Sequence, residues 1–228
     1  NIPFGNPKQP YPLATHCVVL DLDRDGDNDL VMTENEIKSG RIGWLENLDG
    51  KGGAWKLHEL PKGDTAARGA YHSLIVADFD NDGDADIFSC EMEGIPGDQP
   101  PRWFLWENAD GKGGKFVEHV ILDANLGGHL AVAADVDGDG DLDIVSKLWR
   151  SRKDNANGGK NHVDLLENLL VAKPAARKSP RTGFKDGSGT WKVRVSATVG
   201  DQWSLVAKSD RPAFLPRCFR VSSALRNL

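Results

Sequence analysis

One phrase, D-x-D-x-D-G-D-x-D, occurs three times, at residues 21–29, 78–86 and 135–143. The first aspartates of successive copies are 57 residues apart in both intervals. A fixed period of this length implies stacked units, each burying its apolar face against a neighbour. Five carboxylates in nine residues also need a physical reason. Two like charges about 4 Å apart repel by roughly 1 kcal/mol in water and about 4 kcal/mol at an effective dielectric near 20. A hard cation among the oxygens relieves that repulsion, and calcium accepts about six to eight oxygen ligands at roughly 2.3–2.6 Å.

The opening D-x-D-x-D-G matches the start of an EF-hand loop. The rest does not, because the position of the bidentate Glu holds Met32, Ser89 and Ser146. Short apolar runs rich in Val and Ile flank each loop (16–20 and 30–32, 73–77 and 87–88, 130–134 and 144–145). They read as two buried strands joined by a loop. Positions 1, 3, 5 and 9 can face one centre, with position 7 giving its carbonyl oxygen. The first ion is thus assigned Asp21, Asp23, Asp25 and Asp29 with the carbonyl of Asp27. The second takes Asp78, Asp80, Asp82 and Asp86 with Asp84, and the third Asp135, Asp137, Asp139 and Asp143 with Asp141. About three Ca2+ ions per chain are expected on ligand number and hardness.

A second block recurs behind each loop. G-W-L-E-N-L-D-G-K-G-G at 43–53 matches F-L-W-E-N-A-D-G-K-G-G at 104–114, and the third copy survives as D-L-L-E-N at 164–168. Alternating segments 55–60 and 116–121 follow the first two. Each unit reads as strand, aspartate loop, strand, variable loop, strand, Asp-Gly turn, strand. Four strands per unit suit a propeller blade.

With these loops and the E-N-x-D-G-K-G-G turn, residues 14–169 resemble the FG-GAP/VCBS repeats of integrin-type and bacterial secreted proteins. The resemblance implies an all-β fold, a β-propeller with structural calcium in its blades. It implies no single function, since such propellers include adhesion modules, lectins and polysaccharide lyases or dehydratases. Propellers close with about four to eight blades, and only three aspartate units are visible. The expectation is therefore a partial propeller, one completed by degenerate strands, or a homo-oligomer.

The net charge of −6 hides a break at residue 170. Residues 1–170 carry 16 Lys and Arg against 31 Asp and Glu, whereas residues 171–228 carry 12 against 3. The chain is accordingly divided into repeat blades at 1–170 and a basic linker and tail at 171–228. In the tail, 191–199 alternates like a strand and 203–207 offers a hairpin partner. Residues 211–228 read alternatively as foreign to the domain, from a shifted frame. No recognised nucleic-acid motif accompanies the basic charge, so no nucleic-acid partner is expected. No stretch approaches the ~20 apolar residues of a membrane span. Three scattered cysteines, Cys17, Cys90 and Cys218, make neither a zinc pattern nor a disulfide framework. Weak calcium loops fill where calcium is abundant, which points to a secreted, periplasmic or cell-surface protein.

Four histidines are locked to the repeat. His72 and His129 precede their loops by six residues, and His58 and His119 sit three residues after the aromatic of the last strand. Such recurrence is first of all architectural. Breaks in the repeat are better site candidates. After the second strand come Glu34 and Glu36, then Glu91 and Glu93, but Lys147, Trp149 and Arg150 in the third unit. His72, His129, Lys147 and Arg150 are the candidate catalytic groups, able to move a proton beside a bound uronate. Glu91, Glu93 and Trp149 are the candidate ligand contacts, the indole suited to stacking on a sugar ring. No G-x-S-x-G, H-E-x-x-H, P-loop or dinucleotide fingerprint occurs. The leading expectation is a module binding carbohydrate or another extracellular partner. The alternatives are a saccharide lyase or dehydratase, and a structural spacer.

Overall fold

Each aspartate loop joins two antiparallel strands, and the second strand begins at the loop's ninth residue. In the computed structural model, which describes residues 14–37, 40–63, 69–93, 100–150, 160–171 and 219–225, this happens three times. β1 (Ala14–Leu20) leads to β2 (Asp29–Glu34), β5 (Tyr71–Ala77) to β6 (Asp86–Glu91), and β9 (Leu130–Ala134) to β10 (Asp143–Lys147). The E-N block ends β3 (Ile42–Asn47), β7 (Trp103–Asn108) and β11 (His162–Asn168). The D-G-K-G-G turn then leads into β4 (Trp55–Glu59) and β8 (Phe116–Leu122). The chain is all-β among the described residues, with three four-stranded antiparallel sheets ordered β1-β2-β3-β4, β5-β6-β7-β8 and β12-β11-β10-β9.

The strand order within the repeat agrees with the sequence reading, except in the last strand of the third sheet. That strand is β12 (Phe219–Leu225), from the stretch read as tail. It pairs from Asn168↔Phe219 to His162↔Leu225 along the whole of β11. An uncovered β11 would present a row of unpaired backbone groups, and β12 satisfies them. The proposed hairpin at 191–199 and 203–207 lies outside the described residues.

The three sheets pack in series. Leu22, Val31, Trp44, Tyr71, Ile87, Phe104 and Trp106 form one buried layer, between the first sheet and the second. Phe79, Phe88, Trp103, Leu105, Leu126, Ile144 and Leu166 form the next, between the second and third. Adjacent strand residues point to opposite faces, so Ile87 faces one layer and Phe88 the other. Both faces of the middle sheet are therefore covered, which is why β6 is buried at every residue. The first strands of successive sheets touch, β1 against β5 and β5 against β9. That contact brings the beginnings of all three units together.

Ile87 is fully buried between two sheets, whereas Val19 is 61% exposed. In urea unfolding, Ile87→Ala should cost about 2–5 kcal/mol and Val19→Ala no more than about 0.5 kcal/mol. Equal costs would contradict the serial packing.

Candidate metal centres and the histidine face

The ninth aspartate of each loop is a buried strut. Asp29 accepts the Leu22 N–H (3.0 Å) from its own loop on Oδ2 and the Asn47 N–H (3.0 Å) from the end of β3 on Oδ1. Asp86 does the same with Phe79 (3.1 Å) and Asn108 (2.9 Å). Asp143 does so with Val136 (2.9 Å) and Asn168 (2.8 Å). This explains why the aspartate phrase and the E-N block recur together: the carboxylate of one ties down the amide of the other.

The first aspartate winds the loop. Asp21 accepts the N–H groups of Asp25 and Gly26 (3.1 Å each), and Asp78 and Asp135 make the corresponding bonds. The turn runs through Gly26, Gly83 and Gly140 at φ +99°, +92° and +101°, a region that favours glycine. Asp27 and Asp84 turn their carboxylates against Gly50 and Gly111 of the following turn, so a Cβ on either glycine would displace the carboxylate. In the third unit, which lacks that turn, Asp141 Oδ2 accepts the Val171 N–H at 2.9 Å.

Three carboxylates per loop bring oxygens within 4.8 Å of one another: Asp21, Asp23 and Asp29; Asp78, Asp80 and Asp82; Asp135, Asp137 and Asp143. Position 5 joins the group only in the second loop, through Asp82, while Asp25 and Asp139 stay outside it. Position 9 joins in the first and third loops, while Asp86 stays outside. The donor set is all oxygen, which suits a hard cation. Buried oxygens also lack a hydrogen-bond partner among the described residues: Asp84 Oδ1, Asp139 Oδ2 and Asp141 Oδ1. The residues thus fit a divalent cation, which when bound supplies positive charge that offsets carboxylate repulsion.

Without that charge, the loops hold protons unusually well. Burial pushes Asp86 up to about 7, with Asp80 and Asp84 adding to the rise and the two N–H bonds opposing it. Asp84 rises to about 6 through burial and then Asp82 and Asp80, with Arg24 opposing. Asp141 also reaches about 6, from burial first and its neighbours Asp139 and Asp143 after. Burial likewise raises Asp23, Asp29, Asp80 and Asp143.

The loops are also linked across sheets. Arg24 Nη2 donates to the carbonyl of Gly83, and Asn81 Nδ2 to the carbonyl of Gly140 at 3.4 Å. Both donors occupy position 4 of their loop, where the third loop has Gly138. The sequence reading missed this link, although the fourth position is visible in it.

The other candidates divide into two groups. His58 and His119 belong to the architecture. Each bonds the Glu of the E-N block, His58 Nε2 with Glu46 at 2.7 Å and His119 Nε2 with Glu107 at 2.8 Å. Glu91 is buried and held by Arg102, whose N–H and Nε lie 3.1 and 3.3 Å from Oε2. Glu34 and Arg41 repeat that pairing in the first unit.

His72, His129, Trp149 and Arg150 do come together. The His72 and His129 rings stack at 3.7 Å, and His72 Nδ1 donates to the His129 carbonyl at 2.6 Å. His129 stacks on Trp149 at 5.6 Å, and the Arg150 guanidinium lies 4.9 Å from the Trp149 ring. His16, absent from the sequence candidates, extends the file at 5.9 Å from His72. Lys147 is exposed beside them, its carbonyl accepting the His129 N–H at 2.9 Å. Glu93 underpins the far end: its Oε1 accepts the N–H of Trp149 and, at 3.2 Å, that of Arg150.

Local packing dictates this meeting. Gly127 and Gly128 lead into His129, and their carbonyls accept Trp103 Nε1 and Cys90 Sγ of the second sheet, both at 2.8 Å. A Cβ on Gly128 would collide with Cys90, so only glycine lets the segment come this close. His72 occupies the register shift between Tyr71 and Ser73, a bulge that re-aims its side chain. Burial and the His72 imidazole lower the pKa of both His16 and His129.

In metal-free protein, the raised carboxyls bind protons more readily folded than unfolded. Their contribution is present in full below the ordinary value of 3.8 and is lost as pH rises through about 6 to 7. His16 and His129 act in the opposite sense below 6.5, so the informative comparison is with a variant. In chelator, Asp86→Asn should gain melting temperature relative to the parent between about pH 5 and about pH 8. A difference that stays constant or shrinks over that interval would contradict the assignment.

A family model described as FG-GAP-like repeat matches residues 21–89 and 94–146, more than half of the chain. No curated protein matches it.

Proposed function

We propose that this chain, which belongs to the FG-GAP-like repeat family, is a calcium-stabilised β-propeller module that binds an extracellular partner, carbohydrate foremost. The observation that carries the calcium reading is the threefold recurrence of hard oxygen donors on one loop geometry. FG-GAP repeats are typical of extracellular proteins, where calcium is abundant enough to fill weak sites. Among the described residues, no helix is long and apolar enough to cross a membrane.

The propeller reading is supported by the blade-like order of each sheet and by the touching first strands. In such an arrangement β1, β5 and β9 are the innermost strands of neighbouring blades. The file of histidines, Trp149 and Arg150 then lies at one mouth of the assembly. Trp149 is 56% exposed, and an indole open to solvent beside polar groups suits a sugar ring. The loops on this reading hold the blade corners, and recognition belongs to the mouth.

A ligand at 100 times its dissociation constant stabilises the native state by about 2.7 kcal/mol per site. For a domain of this size, chelation should lower the melting temperature by about 5–10 °C per site. Asp78→Ala should shrink the calcium-dependent part without abolishing it. Melting and bound metal that both ignore the chelator would refute the calcium reading.

A further inference from the structure

The file formed by His16, His72, His129, Trp149 and Arg150 crosses all three sheets, and nothing in the repeat requires its last two members. The equivalent turns after β2 and β6 carry Glu36 and Glu93 where the third unit has Arg150. We infer that this strip is a binding site for an acidic oligosaccharide, its sugar rings lying along the edges of Trp149 and the imidazoles and its carboxylate or sulfate groups meeting Arg150 and Lys147. The inference rests on the carbohydrate reading above and narrows it to anionic glycans.

Three properties of the strip support that ligand. It is continuous, with successive ring-to-ring or cation-to-ring separations of 5.9, 3.7, 5.6 and 4.9 Å, so it suits an extended oligomer better than a single small molecule. It is accessible: Lys147, Trp149 and Arg150 are exposed and the three histidines half-buried. Its exposed side chains carry two positive charges, Lys147 and Arg150, against one negative, Glu36. The facing groups are His16 and Glu36 from the first unit, His72 and Glu93 from the second, and His129, Lys147 and Arg150 from the third. Glu34 and Glu91 are held by Arg41 and Arg102. Glu93 is only 7% exposed and turns one oxygen onto the Trp149 and Arg150 amides. Glu36 is the one exposed acid among them.

Protonation of His16 and His129 is opposed by their burial and by the neighbouring His72. An anion relieves that opposition, so affinity should rise on acidification. Nucleic acid is the less favoured polyanion, because no recognised nucleic-acid motif accompanies the strip.

The test uses the full chain saturated with calcium and isothermal titration calorimetry. The ligands are an oligoglucuronate, a sulfated galactan oligomer, a neutral galactan oligomer and an oligothymidylate. The acidic oligomers should bind at least about tenfold tighter than the neutral one, a difference of about 1.4 kcal/mol. Affinity should rise further from about pH 7.5 to about pH 5.5. Whichever acidic oligomer binds more tightly identifies carboxylate or sulfate as the preferred group. Trp149→Ala and Arg150→Ala should each lose about tenfold with unchanged calcium-loaded melting temperature. Lys112→Ala, on the exposed turn after β7, should lose nothing. Equal affinity for neutral and acidic oligomers would overturn this inference and leave the carbohydrate reading standing. Preference for the oligothymidylate would overturn it in favour of nucleic acid, and binding to none of the saccharides would remove both.

Discussion

A buried carboxylate that accepts two backbone N–H groups, one from its own loop and one from the third strand, recurs as Asp29, Asp86 and Asp143. Everything else in each unit is arranged about that carboxylate. It fixes where the second strand starts, holds the E-N block in register and brings the aspartates of the loop into reach of one another. Burying it carries an electrostatic penalty, visible in the rise of Asp86 to about 7. A cation beside the carboxylates would offset that penalty, because it attracts the charges that repel one another.

Linkage between loops extends the same economy across the sheets. Arg24 places a positive charge near Asp84 of the next loop, and Asn81 repeats the contact in neutral form. Together with the two apolar layers, these bonds set the sheets in series and align their first strands. The histidine face follows from that alignment, since no single unit contains more than one of His16, His72 and His129.

Much of this was legible in the sequence, because its signals are local. Loop spacing gave the repeat, apolar runs gave the strands, and the family resemblance is borne out by the match at 21–89 and 94–146. What escaped depends on partners far apart in the chain. Glu91 reads as an open acid in the sequence, whereas in the fold Arg102, just before the next strand, holds it. His16 stood one residue out of step with His72 and His129 relative to its loop, and register shifts at the start of β1 and β5 hide such a relation. The last strand of the third sheet, Phe219–Leu225, lies beyond the alternating stretch at 191–199 that reads as the strand in sequence, and its partner β11 is far away in the chain.

Metal content is the most direct test of the central claim that carboxylate repulsion in each loop is resolved by a bound calcium ion. After dialysis against calcium and removal of free ion, elemental analysis should find about three calcium ions per chain, as the three oxygen clusters imply. Asp23→Ala should remove one of them. A chain that retains its fold and carries no calcium would contradict the account.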